Sequence, residues 1–462
     1  MLLRQLYHEN LAQASYLIGC QATGEAIVID PHRQTALYTS TARQHGLRIV
    51  AVAETHIHAD MVSGARELAS ETGARLLLPV TAEPPFAYAA AYLATAEPVI
   101  EGTIVTIGKV QLEAIHTPGH TPEHICFIIT DTASSEEPLG VLTGDCLFVG
   151  AVGRPDLAEK SLGITGSATK LALMLHSSLA RLRALPEFVQ VWPGHGSGSA
   201  CGKALGAVLQ SSIGYEIRAN SALRIADPQT FAGEVLNGQT APPPAFAIIK
   251  ESNRSGPVPR HTTDTAPQDP AMLAALLASG AQIVDVRPAA EYAAAPVRGV
   301  NLPLGKVLFS WAGWLLRYDR PIVLLGTHAA ACQAHTDLQL LGYDDRAGIW
   351  LSDAVADMAA LQLPPIARQP AATVSGAPAD GVLLDVRNDD EVAQGSIPGS
   401  IHIPLAQLEQ HIAAHGLPAQ TITVHCQSGI RSAIAASMLA SHGAAVTDLT
   451  GGYNGWLRTP RG

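Results

Sequence analysis

Histidine and aspartate recur in four short clusters along the first half of the chain. They are His56, His58 and Asp60 in "THIHADMVSG", His116, His120 and His124 in "HTPGHTPEH", Asp145 in "LTGDCLFVG" and His195 in "WPGHGSG". Imidazole and carboxylate together suit zinc, iron or manganese. One lone histidine would carry no weight; four clusters in this order point to a metal centre. A different chemistry lies far downstream, in "VHCQSGIRS". There Cys426 closes an apolar strand, Gly429 sits inside the loop and Arg431 opens an apolar helix. Such a loop turns successive backbone N–H groups inward and adds a helix N-terminus and a guanidinium, all of which favour thiolate over thiol. Cys426 is therefore expected to be a nucleophile, against the alternative of an inert buried cysteine. Only Gln427, Ser428, Gly429 and Ile430 separate it from Arg431. That ring is smaller than the phosphate cradle of cysteine phosphatases and better suited to a sulfane sulfur.

The elements that must position these residues are short. From Tyr16 to about Leu236, β-branched runs such as "AIVIDP", "RIVAVAETH", "GVLTGD" and "VQVWPGHG" alternate with turns and with helical stretches such as "ATKLALMLHSSLARLRAL". The suggestive residues follow the strands, where α/β folds place their sites. A first domain over residues 1–240 is expected. Residues 241–268 are rich in Pro, Ser, Thr and Asn and read as a linker or wrapping segment with little helix.

Beyond it the chain repeats itself. "IVDVRPAAEYAAAPVRGVNLPL" aligns with "LLDVRNDDEVAQGSIPGSIHIPL", matching Asp285 to Asp385, Arg287 to Arg387, Glu291 to Glu391 and Gly299 to Gly399. Two homologous α/β domains are expected, over residues 269–363 and 372–462, so the fold class is multidomain α/β. In the first copy Gly326 stands where Cys426 stands and Ala331 replaces Arg431, so that copy has neither nucleophile nor cation. Its Cys332 aligns with Ser432 at a helix start, where packing or mild activation by the helix dipole is expected.

Bulk properties narrow the field. With 462 residues and 47% hydrophobic content the chain can bury several cores. A formal net charge of −11 without any long Lys/Arg run gives no footprint for nucleic acid or for an anionic membrane surface. The start is broken by Gln5, His8, Glu9, Asn10 and Gln13, unlike a signal peptide or anchor, so a soluble cytoplasmic protein is expected. Six cysteines without CxxC pairs argue against a disulfide framework and a thiolate zinc knuckle.

The order and context of the histidine clusters resemble the metallo-β-lactamase fold superfamily, which implies an αββα sandwich. The last domain resembles a rhodanese, from its "LDVR" strand through "IPGSIHIPL" and "CQSGIRS" to "LTGGYNGW". That resemblance implies that Cys426, with Arg431 beside it, accepts a sulfane sulfur as a persulfide and passes it on. The middle domain then reads as a degenerate rhodanese, a spacer, docking surface or substrate wall. Hydrolases of the superfamily commonly hold two metals, and the second needs a histidine where Met61 stands. A thioether is a poor ligand for such cations. What remains is His56, His120 and Asp145, a facial set with open positions, and these match the iron ligands of the persulfide dioxygenase branch. The "GAVGRPDL" stretch, with Arg154 and Asp156, is similar to that branch's active-site loop. With "WPGHGSGSACGKALGAV" and the two rhodanese domains, nearly the entire chain resembles the persulfide dioxygenase and rhodanese fusion proteins of bacterial sulfide detoxification.

The resemblance implies Fe(II), one per chain, with zinc as the alternative. It implies oxidation of a low-molecular-weight persulfide of glutathione, coenzyme A or a similar thiol by O2, giving sulfite, which takes sulfur from Cys426 to give thiosulfate. It also implies a homo-oligomer. His58, Asp60 and His195 are expected to orient ligands and relay protons, and Arg154 to clamp an anionic substrate group or support the metal loop. His116 and His124 are expected in turns or supporting positions, and Cys126 and Cys146 in the core. Cys20 is open to either kind of role. Cys201, shortly after His195, is a candidate for relaying or carrying sulfur. Two rivals stand beside this reading. One is a zinc-dependent thioester hydrolase of the glyoxalase II type fused to a sulfurtransferase; the other is a non-catalytic sulfur sensor or scaffold.

Overall fold

Strands of the first half are apolar on both faces, and a computed structural model of the chain shows where each face goes. It describes residues 1–82, 84–162, 164–203, 205–260, 270–344, 347–351 and 361–458. They form two compact units, one of residues Met1–Arg260 with Gln339–Gly342, the other of His261–Leu338 with Tyr343–Gly462.

In the first unit β1 (Leu2–His8), β2 (Gln13–Cys20), β3 (Glu25–Ile29), β4 (Arg48–Ala53), β5 (Arg75–Pro79) and β6 (Glu97–Val99) lie side by side in chain order. β1 to β3 pair antiparallel and β3 to β6 parallel. A second sheet runs, also in chain order, through β7 (Ile104–Ile107), β8 (Val110–His116), β9 (Ile125–Asp131), β10 (Gly140–Gly144), β11 (Gln190–Pro193) and β12 (Ser211–Ser212). Side chains alternate along each strand. Ile27 and Ile29 of β3 therefore enter the core between the sheets with Phe127, Leu142 and Trp192. Ala26 and Val28 face outward against Tyr38 and Ala42 of helix Thr35–Gln44 and Leu68 of helix Ala65–Thr72. The second sheet is covered likewise by Leu175 and Leu179 of helix Ser167–Arg183 and Phe231 of helix Pro228–Leu236. The result is the expected αββα sandwich. Phe127 is fully buried in its centre, and truncating it to alanine should cost about 3–5 kcal/mol.

The segment expected to be a linker differs. Residues Ala245–Ser255 form a helix within the first unit, burying Phe246, Ile249, Lys250 and Asn253. Spacings of three and four residues put these on one face, and that face is what the Pro- and Ser-rich composition concealed. Residues 261–268 of the expected linker lie outside the described residues.

The second unit carries the repeat. One sheet is ordered β14 (Val300–Asn301), β13 (Gln282–Asp285), β15 (Ile322–Gly326), β16 (Ala347–Leu351). The other is β17 (Ala367–Pro370), β21 (Val446–Thr450), β20 (Thr421–His425), β18 (Gly381–Asp385), β19 (Ile401–His402). Every pairing in both is parallel, and the second copy adds only its edge strand β17. The copies share an interface: Asn301 N donates to Ser437 Oγ at 2.9 Å and Gly299 N to Ser441 Oγ at 2.8 Å. Both serines lie on helix Ile430–Ser441, which starts at the Cys426 loop. No described helix is long and apolar enough to cross a membrane.

Candidate metal centre and thiol cradle

His56 follows β4, His120 joins β8 to β9, Asp145 follows β10 and His195 follows β11, so the sandwich delivers all four to one end. Ligand atoms of His56, His120 and Asp145 lie within 4.8 Å of one another, all buried. His56 Nε2 is 3.9 Å and His120 Nε2 3.5 Å from Asp145 Oδ2. Two glycines make the approach possible. A Cβ on Gly144 would lie 2.6 Å from His124 Nε2, and one on Gly194 would lie 2.6 Å from Asp145 Oδ1.

Whether these residues suit a metal is answered by what they lack. Neither carboxylate oxygen of Asp145 has a hydrogen-bond donor, nor do His120 Nδ1 and His195 Nε2, although all are buried. A buried carboxylate without donors is expensive unless a cation sits against it. Burial, with the Asp60 carboxylate nearby, pushes the Asp145 carboxyl up, and burial with the neighbouring imidazoles drives His56 and His120 well down, toward the neutral form that ligates metal. The set fits a divalent cation.

The surrounding residues orient this set. Thr55 Oγ1 lies 2.9 Å from His56 Nδ1 and donates to Asp30 Oδ2 at 2.8 Å, while Thr55 N donates to Asp30 Oδ1 at 2.7 Å. His58 Nε2 stands 3.3 Å from Asp30 Oδ1. Burial opposes its charge, but Asp30, with Glu54 and Asp60 nearby, outweighs burial and raises His58 to about 10. His195 Nδ1 lies 2.9 Å from Ala12 O, which leaves Nε2 facing Asp60 Oδ2 at 3.2 Å and Asp145 Oδ2 at 3.5 Å. Among the described residues the non-glycine positions with positive φ are Ala12 and Asp30, both at 51°. Such backbone costs roughly 1–3 kcal/mol per residue and gathers at functional sites. Met61 is fully buried in the expected second-metal position. Asp60, His195 and Cys201 nevertheless form a second cluster of ligand atoms within 4.8 Å.

Several expected roles change. Arg154 is largely engaged: it donates to both oxygens of Asp156 at 3.0 and 2.7 Å, to Ala200 O at 3.2 Å and to Thr240 O at 2.6 Å, bonds that use all but one of its guanidinium N–H groups. It supports the loop carrying Cys201, the second of the two roles expected of it. His124 accepts from Asp145 N at 3.0 Å and contacts Thr117 Oγ1 at 2.9 Å, so it positions Asp145. His116 ends strand β8 rather than lying in a turn, with its Nε2 2.8 Å from Pro122 O. Cys126 and Cys146 lie in the core beside the second sheet. The Cys20 thiol, buried at the end of β2, is drawn down to about 7 chiefly by the Lys109 amide. Cys201 is 1% exposed and burial pushes its thiol well up.

Sequence reasoning passed over Asp30, Glu54, Glu123, Lys250 and Asn253. Asn253 donates to His58 O and Met61 O, both at 2.8 Å, and accepts from Ser63 N at 2.9 Å, so it clamps the metal loop. Glu123 Oε1 accepts from Ile57 N at 2.9 Å, and Glu54 accepts from Ser63 Oγ and from Tyr88 at 2.7 Å. Only Asp30, closing the strand of "AIVIDP", carried a signal: a charged residue at the end where the histidines gather.

The thiol cradle follows β20. Cys426 is buried, and Gly429, with φ 101°, turns its N–H onto Cys426 Sγ at 3.1 Å. Gln427 bridges Arg387 Nη1 at 3.1 Å and Asn454 Oδ1 at 2.6 Å, while Ser428 and Ile430 form an exposed mouth. Arg431 donates to both oxygens of Glu391 at 2.6 Å. Burial would raise the Glu391 carboxyl, but the paired bonds from Arg431 outweigh it and hold the carboxyl below its ordinary range. Glu391 thus fixes the guanidinium beside the cradle. In the degenerate copy the helix begins at His328, only two residues after Gly326 ends β15, so no cradle forms there. Cys332 is partly buried, with Sγ 3.6 Å from His328 Nε2.

Residues 9–195 match the Metallo-beta-lactamase superfamily model and residues 371–459 the Rhodanese-like domain model. The chain is 34% identical over 184 residues to a hydroxyacylglutathione hydrolase of Polaromonas sp., covering 39% of this chain and 61% of the relative. It is 29% identical over 200 residues to the mitochondrial persulfide dioxygenase ETHE1 of Homo sapiens, covering 42% and 68%. The chain spans only 60 to 66% of the length of three such hydrolases. A solved structure of a metallo-beta-lactamase from Staphylococcus aureus is 35% identical, with TM-score 0.69, over 76% of this chain and 99% of its own.

Proposed function

The chain belongs to the metallo-beta-lactamase superfamily and carries a rhodanese-like domain, and from that premise we propose that it is a non-haem iron persulfide dioxygenase coupled to sulfur transfer. The observation that carries this reading is the pairing on one chain of an open His56/His120/Asp145 set with a thiol cradle around Cys426. A two-histidine, one-carboxylate set leaves positions for a sulfur ligand and dioxygen.

His56, His120 and Asp145 would hold an Fe(II) ion, whose chemistry is the activation of dioxygen beside a sulfur ligand. The residues around them do the rest. Thr55 and Asp30 lock the His56 ring, and Ala12 O fixes His195 so that Nε2 faces the pocket. From there Nε2 can take up the proton that the reaction releases. The persulfide anion, dioxygen and water give sulfite, the parent thiol and that proton. At the cradle, sulfite attacks the outer sulfur of a Cys426 persulfide; the S–S bond breaks, thiosulfate leaves and Cys426 returns to thiolate. The Gly429 amide supports that thiolate charge.

A zinc thioester hydrolase is the second reading, favoured by the hydrolase relatives and by the Asp60, His195 and Cys201 cluster as ligands for a second metal. Met61 and the engagement of His58 by Asp30 weigh against it. Product analysis separates the two. The purified chain given glutathione persulfide in air should form sulfite and thiosulfate and leave a glutathione thioester intact. Rapid thioester cleavage without sulfite would reverse the order of the readings.

A further inference from the structure

Helix Ala245–Ser255 places a buried lysine beside the candidate metal pocket. Phe246 joins the apolar cluster of Ala59, Phe148 and Cys201, and Asn253 grips the metal loop. Between them on the same face lies Lys250, 3% exposed. Among the described residues its ammonium has neither a hydrogen bond nor an ion pair, an uncommon state for a buried lysine. Burial lowers the Lys250 ammonium from its ordinary value, Glu123 and Cys201 oppose that, and its charge in turn acts on His120. Glu123 is not a contact partner, because its Oε1 serves Ile57 N and its Oε2 has no donor at all. Arg154, expected to clamp an anion or to support the metal loop, gives most of its donors to Asp156 and to two backbone carbonyls.

A fold retains a buried unpaired cation at a cost that well-packed apolar atoms would avoid. The cost is offset where a ligand brings the missing counter-charge. We propose that Lys250 is the anion-binding residue of the metal pocket, holding a small sulfur anion: the persulfide sulfur on entry and sulfite on exit. The assignment rests on the sulfur reading for the identity of the anion, and on the helix geometry for the site itself.

Calorimetric titration of the full chain, metal-loaded as purified, with sodium sulfite tests it. Lys250→Met is expected to weaken sulfite binding about tenfold or more, the size of a lost charge-assisted bond. Metal content should be unchanged and Tm equal or higher, since a lone buried charge has been removed. Sulfite should raise the Tm of the native chain and leave that of the variant unmoved. Undiminished sulfite binding overturns the proposal. So does a variant that melts earlier and loses metal, which would make Lys250 a structural counter-charge for Glu123. If glutathione binding weakens while sulfite binding does not, Lys250 serves the thiol's carboxylate and the sulfur-anion assignment falls. Binding rather than turnover is read, so a zinc hydrolase that held sulfite through Lys250 would sink the functional reading and leave this one standing.

Discussion

Asp145 bears the strongest constraint in the metal pocket, for its two buried oxygens have no donor and face three imidazoles. Asp145→Asn keeps the shape and removes the charge. It should abolish metal retention, measured by elemental analysis, while the metal-free protein melts no earlier than the metal-stripped native chain. At the cradle the titrating partner is Glu391. Its carboxyl is depressed by Arg431, so the pair's stabilisation is complete above the ordinary carboxylate range, about pH 4.3, and fades only as pH falls through the lower folded value. Melting curves should therefore show Glu391→Gln less stable than native at neutral pH, with the gap closing in acid; a gap that widens in acid contradicts the pairing. At this scale the residue types were legible in the sequence, because ligands and nucleophiles are chemically distinctive. Their occupancy was not. Arg154 reads from sequence as an anion clamp or a loop support, and what tells the two apart is that Asp156, Ala200 O and Thr240 O take most of its donors; two of those acceptors are backbone carbonyls that no side-chain pattern reveals.

The helix Ala245–Ser255 shows what an element can hide. Its first residues follow a Pro run and its inward face includes Lys250 and Asn253, so neither composition nor hydrophobic period announced it. Asn253→Ala would leave His58 O, Met61 O and Ser63 N without their partner. The expected cost is about 1–3 kcal/mol in melting experiments, with metal affinity down roughly 10–100-fold in chelator competition. Strands behaved otherwise: β3 and β4 are β-branched and apolar on both faces, a pattern that a doubly covered sheet demands, and they were recognisable at once. The degenerate copy offers an element-scale test. A Cβ at Gly326 would lie 2.8 Å from Val286 Cγ2, and the helix starts two residues beyond it. Gly326→Cys in a Cys426→Ser background should therefore restore no sulfur transfer, measured with thiosulfate as donor.

At the scale of the whole chain, the proposed function joins two chemistries that share an intermediate, and such a covalent link would raise the effective concentration of sulfite near a persulfide on Cys426. That pairing was legible because each half carries its own ordered motif, and the internal repeat exposed the missing nucleophile of the middle copy. Cys426→Ser should consume oxygen at the native rate and release sulfite in place of thiosulfate; continued thiosulfate formation would remove Cys426 from the transfer step. The most direct measurement is elemental analysis of the purified chain together with oxygen uptake on glutathione persulfide. A single iron per chain, with one dioxygen consumed for each sulfite formed, free or carried on into thiosulfate, is the predicted result. Stoichiometric zinc, no oxygen uptake and cleavage of a glutathione thioester would contradict it.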